Sequence, residues 1–521
     1  MDYLLRFTGI VLLVAGALVS CNQREVEQSP QEPTQSAREE GLVIIGTTDK
    51  ASDLDPANSY DFHTWELHWN TMSGLLGYDS DGSIVPVLAA TLPMVSEDSL
   101  SWTVTLTPGQ KFQSGRELTS EDVKWSIDRV RHLGGKSSWL VTSFVESVEA
   151  DDEYTVTFRL QKPTSFFPSL LATSPYFPLD QTCYAAYSIE KDSTCGGLGP
   201  YLIREWVRDD YLLLEANPDW PGEPPATETV KVRYFADSAA LRQALEAGSI
   251  DLAWNTLKPD DLAALRDNDT VTVWENNSSF KRMLIFTQHN EPFSDSRVRQ
   301  ALSYLVDRDA LAKDAFKGTF SPLYSPIPSA TPGHIDTMPA RDPEKGIALL
   351  AEAGFDASKP LSFDLWWTDD HYGDSEGDFA AGLKKQFEAT GVIQVNLKSS
   401  HWTSYVDATS ECEYAAFLLG WYPDYVDQST SVDFFAFSEA TPDLCSNYSN
   451  PEMDKLVRAA QAESDPDIRS RYYTQIQHLW AEDIPTLPLL QGVLFAASRK
   501  DLEGVSFEVS AALRYHKLKL P

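Results

Sequence analysis

Among the side chains able to do covalent chemistry, Ser375 stands in the most suggestive setting. Gly373-Asp374-Ser375-Glu376-Gly377 is a G-x-S-x-G string between a predicted strand and a predicted helix, the context in which a nucleophile elbow presents a serine. An acid and a histidine must then follow, and Asp424 or Asp427 with His478 or His516 are the candidates. Two features oppose a serine hydrolase. An elbow turns straight off its strand, whereas Thr368-Asp369-Asp370-His371-Tyr372 intervene here. The acidic residues flanking Ser375 also hinder activation of its hydroxyl. The string reads as an exposed polar loop, and no catalytic residue is assigned. Gly196-Gly197-Leu198-Gly199 lacks the Lys-Ser/Thr of a phosphate loop and reads as a tight turn into the next strand. His63 and His68 are five apart, a spacing that does not share a helix face, and no C-x-x-C or H-x-x-x-H pair exists. No metal site and no cofactor are therefore expected. Paired carboxylates are too numerous, with 77 Asp and Glu, to single out a glycosidase.

The elements that would carry these residues alternate between strand and helix. Leu42 to Thr47, Trp102 to Leu106 and Tyr154 to Leu160 have strand patterns. Thr119-Ser120-Glu121-Asp122 opens an amphipathic helix through Val123, Trp125, Ile127 and Val130. Val230 to Trp254 is a strand–helix–strand unit with Gly248 after its helix. A later stretch repeats the logic: a helix capped by Asp342 with Pro343 at its first position, ending before Gly354, then a strand Ser362 to Trp367. The helix Phe379 to Ala389 and strands near Val392 to Leu397 and Ala415 to Leu419 come next. Asn450-Pro451 and Asp467 open two more helices, and Leu487 to Ala497 is apolar and extended. Units of this kind imply parallel sheet with helices on its faces, so the fold class is α/β with at least two sheet-centred bodies.

Size and charge agree. A chain of 521 residues exceeds one ordinary core. A net charge of -35 makes nucleic acid or an anionic lipid surface a poor partner. The N-terminus reads as an export signal: Arg6 supplies positive charge, and Ile10 to Val19 is apolar but too short to span a bilayer comfortably. Leu18-Val19-Ser20-Cys21 resembles a bacterial lipobox, which implies cleavage before Cys21 and a lipid on its thiol. Residues 22 to 40 have almost nothing to bury and read as a tether. Cys183, Cys195, Cys412 and Cys445 remain, an even number that suggests two disulfides in an oxidising compartment, with three pairings open.

Several strings in order carry a resemblance to a known family. They begin with Leu54-Asp55-Pro56, Gly74-Leu75 and Pro86-Val87-Leu88-Ala89, followed by Ser101 through Phe112 with Gly115, Leu118-Thr119 and Asp122-Val123. Gly197-Leu198-Gly199-Pro200-Tyr201 matches a G-T-G-P-Y pattern with Leu in place of Thr. Ala244 through Asp251, Pro292 through Leu302 with Asp307-Arg308, and Gly420-Trp421-Tyr422-Pro423-Asp424-Tyr425 complete the set. Together they resemble the family 5 extracellular solute-binding proteins, which bind dipeptides, oligopeptides, nickel chelates and related solutes for ABC importers.

The resemblance implies a two-lobe periplasmic-binding-protein-like fold (type II, cluster C) with an extra subdomain in the first lobe. Residues 1–20 would be the signal peptide, and 21–41 the lipidated Cys21 with its tether. Lobe I would take 42–283 plus 492–521, with the subdomain at about 76–196, and lobe II would take 284–491. The implied ligand is a peptide, with another solute (nickel chelate, haem or sugar) as the alternative. The partners are a membrane permease and the lipid anchor, and a monomer on the outer face of a bacterial membrane is expected. In the resemblance, Asp424 pairs with a ligand ammonium, and Trp421 flanks a side-chain pocket beside Tyr425. Tyr60, Tyr324, Trp367 and His371 are further ligand-contact candidates. No Arg or Lys is an obvious counter-ion for a ligand carboxylate.

Overall fold

Apolar residues two apart in Val43–Ile45 and Val230–Val232 need cover on one sheet face, and Ile44 needs it on the other, so these strands sit between two layers. The computed structural model describes residues 41–521 except 52, 81, 196, 255, 290, 373 and 374. The expected signal peptide, Cys21 and all but the last residue of the tether lie outside the described residues, as do Gly373 and Asp374 of the serine string.

Eleven strands form one sheet. At one end, Leu42–Thr47 runs parallel to Thr229–Tyr234 and Leu252–Trp254. At the other, Leu361–Thr368 runs parallel to Ile393–Ser400 and Ala416–Trp421. Two long antiparallel strands, Val271–Phe286 and Thr486–Arg499, join the ends, paired from Val271 with Arg499 to Ile285 with Thr486. Their register shifts between Asn277 and Lys281. The apolar residues separate accordingly. One core draws on 283–490, including Met283, Leu302, Phe379 and Trp480. The other end is covered on one sheet face by Val43, Leu252, Ala496 and Tyr515, and on the opposite face by Leu241, Ile250 and Leu262. A separate four-stranded sheet, ordered Met94–Val95, Ser101–Thr105, Thr155–Leu160 and Val145–Asp152, packs a third core with the helix Ser120–Leu133. The fold is thus mixed α/β in two lobes.

Local rules account for most boundaries. Asp122 accepts from the Thr119 N–H at 3.0 Å to open its helix, and Gly134 closes it with φ 59°. Asp342 accepts from the Lys345 N–H at 3.1 Å, with Pro343 at the first helical position. Two starts differ from the sequence reading. The helix expected to open at Asp467 runs Pro466–Asp483 and is capped by Asp465, which accepts from the N–H groups of both Asp467 and Ile468. The helix expected from Phe379 begins at Glu376, whose buried carboxylate pairs with Arg282. A tertiary ion pair, invisible to apolar periodicity, adds that first turn. Gly199 does serve a turn: a Cβ there would lie 2.4 Å from the Met72 nitrogen. Cys183 bonds Cys195 and Cys412 bonds Cys445, each disulfide within one local group.

The loop Leu54–Tyr60 is held by an ion pair sealed from water. Arg129 donates to both carboxylate oxygens of Asp55, at 2.8 and 2.6 Å, and the side chains are 1% and 0% exposed. Asp55 also accepts from the N–H groups of Ala57 and Glu190, while Arg129 donates to the carbonyls of Ala185 and Ser188. Removing one member leaves the other charged and buried, so Arg129→Ala should cost about 3–5 kcal/mol. A urea titration reads this directly; a loss below about 1 kcal/mol, the range of an exposed pair, would show that the loop is held by something else.

Candidate functional site

The strand Ala416–Trp421 delivers its carboxyl end into a loop whose far side is firmly fixed. Asp427 accepts from Arg469 at 2.7 and 2.6 Å and from the Ser429 N–H at 2.8 Å. Burial pushes the Asp427 carboxyl up, but the Arg469 guanidinium outweighs it and holds the group below the ordinary range. Tyr425 stacks on Phe166 of the four-stranded unit, with ring centres 5.1 Å apart and planes at 9°. Ser169 donates to the Val426 carbonyl at 3.0 Å beside it.

Between these anchors Asp424 meets no cation among the described residues. Its one side-chain partner there is Tyr60, whose hydroxyl donates to Oδ1 at 2.6 Å from 364 residues away in the chain. The Tyr60 ring stands edge-on to Trp65 at 5.9 Å and is 44% exposed. Burial raises the Asp424 carboxyl to about 6 even though the Tyr60 hydrogen bond lowers it. Burial and then the charge of Asp424 push the Tyr60 hydroxyl well above its usual value. A half-buried carboxylate unpaired by a base among the described residues is suited to receive a positive group.

The remaining candidates separate. Trp421 packs against Phe434 and Phe435, and its buried Nε1 finds no acceptor. Tyr425, expected to face a ligand, is 6% exposed and belongs to the apolar core of the four-stranded unit; its stack on Phe166 joins the lobes. Tyr324 lies against the Arg308 guanidinium at 4.8 Å, and Trp367 packs on Gly377, so both sit in second-lobe packing. His371 is exposed and stacks on Trp402 at 3.7 Å.

Sequence reasoning passed over three residues that act on one another electrostatically, Tyr422, Asp49 and Asp61. Tyr422 is 61% exposed and stacks one face on Phe280 at 3.9 Å. Asp49 follows the strand Leu42–Thr47, and Asp61 caps the helix Phe62–Thr71 by accepting from the Thr64 N–H at 2.8 Å. Tyr422 stood inside the quoted Gly420–Tyr425 string, and Asp49 stood just past a strand's carboxyl end, where α/β sheets place ligands. Those were the available signals.

Ser375 is the N-terminal flank of the helix Glu376–Glu388. Among the described residues it has no hydrogen bond to His478, which is exposed, or to His516, which packs on Trp220 in the first lobe. Also among the described residues, Asp369, Asp370 and His401 bring possible metal-ligand atoms within 4.8 Å of one another, all three exposed. No described helix is long and apolar enough to cross a membrane.

Comparison with known proteins bears on this arrangement. The profile of the bacterial extracellular solute-binding proteins, family 5 Middle, matches residues 83–443. The probable D,D-dipeptide-binding periplasmic protein DdpA of Escherichia coli K12 is 27% identical over 480 residues, covering 89% of this chain and 91% of that protein. Di/tripeptide-binding protein 2 of Pseudomonas aeruginosa is 27% identical over 509 residues, covering 92% and 94%. The crystal structure of a dipeptide-binding protein from Pseudoalteromonas in complex with Met-Leu superposes with a TM-score of 0.73 at 21% identity, covering 92% of this chain and all of that one.

A proton on Asp424 is held more tightly in the folded protein than in the unfolded chain. The stability this contributes is complete below the ordinary carboxylate value of 3.8 and is lost as pH rises through about 6. Asp424→Asn keeps an acceptor for Tyr60 but never ionises. The unliganded variant should therefore melt above the parent protein at pH 7.5, and the gap should close as pH falls below 5. Melting temperatures across that range measure it; a gap that does not change with pH would mean that the Asp424 carboxylate is not destabilised by its surroundings.

Proposed function

The chain belongs to the bacterial extracellular solute-binding proteins of family 5, and from that premise we propose that it captures peptides between its lobes and hands them to a membrane permease of an ABC importer, catalysing nothing itself. Lobe I comprises 42–283 with 492–521 and carries the subdomain at about 76–196; lobe II comprises 284–491. The peptide's α-ammonium pairs with Asp424. The observation that carries this reading is the half-buried Asp424 carboxylate, which among the described residues has the Tyr60 hydroxyl as its one side-chain partner and no cation beside it. Likeness to proteins named for dipeptides and tripeptides supports the choice of peptide.

The physical logic is one of compensation. An ammonium loses its water on entering the cleft and recovers the loss only from a charged, hydrogen-bonded partner. Asp424 supplies the charge, and Tyr60 fixes one carboxylate oxygen so that the other faces the guest. The two long strands common to both lobes, with their register break between Asn277 and Lys281, are the natural place to bend as the lobes close. Closure follows when the shut state gains contacts that the open state lacks. Residues 1–20 act as the export signal, Cys21 carries the lipid, and residues 22 to 40 tether a monomer to the outer face of a bacterial membrane.

Truncating Asp424 to Ala leaves a buried ammonium unpaired, which typically costs about 2–5 kcal/mol, or about thirtyfold to several thousandfold in affinity. Titration calorimetry with a bound peptide tests this, and an unchanged affinity would remove Asp424 from the site. Tyr60→Phe, which deletes one hydrogen bond, should cost about 3- to 10-fold. Added peptide should raise the melting temperature and be recovered intact by mass spectrometry; peptide fragments would contradict a purely binding role.

A further inference from the structure

Two carboxylates, one from each lobe, stand past the carboxyl ends of sheet strands. Asp424 follows Ala416–Trp421, and Asp49 follows Leu42–Thr47, a strand flanked on both sides by parallel neighbours. In open α/β sheets the ligand crevice lies outside those ends. Asp49 is held in place by its own N–H, which donates to Thr47 Oγ1 at 3.1 Å. Its carboxylate has no hydrogen bond or ion pair among the described residues, although it is only partly accessible. The neighbouring Lys50 is set against Asp209 instead, at 3.4 Å. Burial, with the nearby Asp61 charge added, raises Asp49 to about 6.

The strands that end before Asp49 and Tyr422 run toward each other along Val271–Phe286: the first lies level with Trp274 through Trp254 and Ala496, and the second pairs Trp421 with Lys281. The charge of Asp49, after burial, helps push the Tyr422 hydroxyl up to about 12. Tyr422 offers an aromatic surface: Phe280 covers one face of the ring, yet the residue remains 61% exposed. Three basic residues near this part of the cleft are engaged elsewhere. Arg282 pairs with Glu376 beneath the Tyr372 ring, and Arg469 pairs with Asp427. Lys281 is buried and donates to the carbonyls of Pro326 and Ser431 at 2.9 Å each, and the charge of Lys136 reaches Asp61. A guest with a single ammonium would neutralise Asp424 and leave Asp49 unpaired in a closing, water-poor cleft, which is costly.

We infer that the preferred guest is a peptide with a basic side chain, whose second positive charge pairs with Asp49 while its planar or aliphatic part lies against the open face of Tyr422. The inference rests on the peptide-binding reading and narrows it. A cation over a tyrosine ring gains further attraction, and a guanidinium can stack flat on it. A neutral isostere of the basic side chain gains neither.

Calorimetry on the purified full chain separates the possibilities. Tripeptides of alanine carry arginine at the first, second or third position, and citrulline, its neutral isostere, replaces it in matched controls. At one position the parent protein should bind the arginine peptide about tenfold or more tighter than its citrulline control, the scale of one desolvated charge pair. Asp49→Asn should reduce that preference to below about threefold, weakening the arginine peptide but not the citrulline peptide, which no longer buries an unpaired Asp49 charge, whereas Asp424→Asn should weaken both peptides together. The inference is overturned if arginine is never preferred, or if the preference survives Asp49→Asn in a variant that still unfolds cooperatively. If no tripeptide binds at all, the peptide reading itself fails and takes the inference with it. If citrulline peptides bind well and arginine peptides no better, only the inference fails.

Discussion

A carboxylate kept inside a protein without a cation beside it costs free energy that its surroundings must offset. Asp424 is in that position, and much of the fold around it serves to hold it there. Its loop cannot relax outward, because Arg469 grips Asp427 and Phe166 stacks on Tyr425. Its partner cannot drift, because Tyr60 sits at the end of a loop tied by Asp55 to Arg129. The same chain thus spends three engaged acid–base or aromatic contacts to leave one acid unengaged. That contrast between saturated neighbours and a centre without a cation is what singles out Asp424, as the proposed receptive site, from the many other carboxylates of a chain with net charge -35.

The lobes meet the cleft with different materials. The first contributes acids: Asp49 past a parallel strand and Asp61 at a helix N-terminus. The second contributes Asp424 and the exposed ring of Tyr422 on Phe280. Positive side chains at the second lobe's floor are neutralised before they reach open space, as with Arg282, which Glu376 and the Tyr372 ring enclose. Around Asp424 and Asp49 the charge left unpaired among the described residues is negative, and charge of one sign in a low-dielectric site attracts and selects its opposite.

Much of this was legible in the sequence, and what was not has physical reasons. Periodicity and caps placed the strands near Val230–Tyr234 and Ser362–Trp367 and the helices opening at Thr119, Asp342 and Asn450, because those signals are local. The first turn at Glu376 was missed because a partner 94 residues away supplies its stability. Asp424 and Tyr60 were both named, yet nothing local joins positions separated by 364 residues. Tyr425 was expected at a ligand, but a tyrosine's partner is set by the facing surface, here Phe166 from another sheet. Asp49 and Tyr422 escaped notice because an acid in so acidic a chain, or one tyrosine among 21, carries no signal until the fold shows what surrounds it.

The two lobes also differ in when they can be completed. The core around Trp480 and Phe379 is drawn from the uninterrupted stretch 283–490. The first lobe, although it begins at Leu42, takes Ala496, Leu513 and Tyr515 into its interior. There the buried Glu66 accepts from the Leu513 N–H at 2.9 Å and from the Tyr515 hydroxyl at 2.7 Å, and Arg514 donates to the Trp69 carbonyl. A chain made from its N-terminus onward therefore leaves these early segments without their interior neighbours until residues 496–518 have been made. The half that is synthesised first is the half that is finished last.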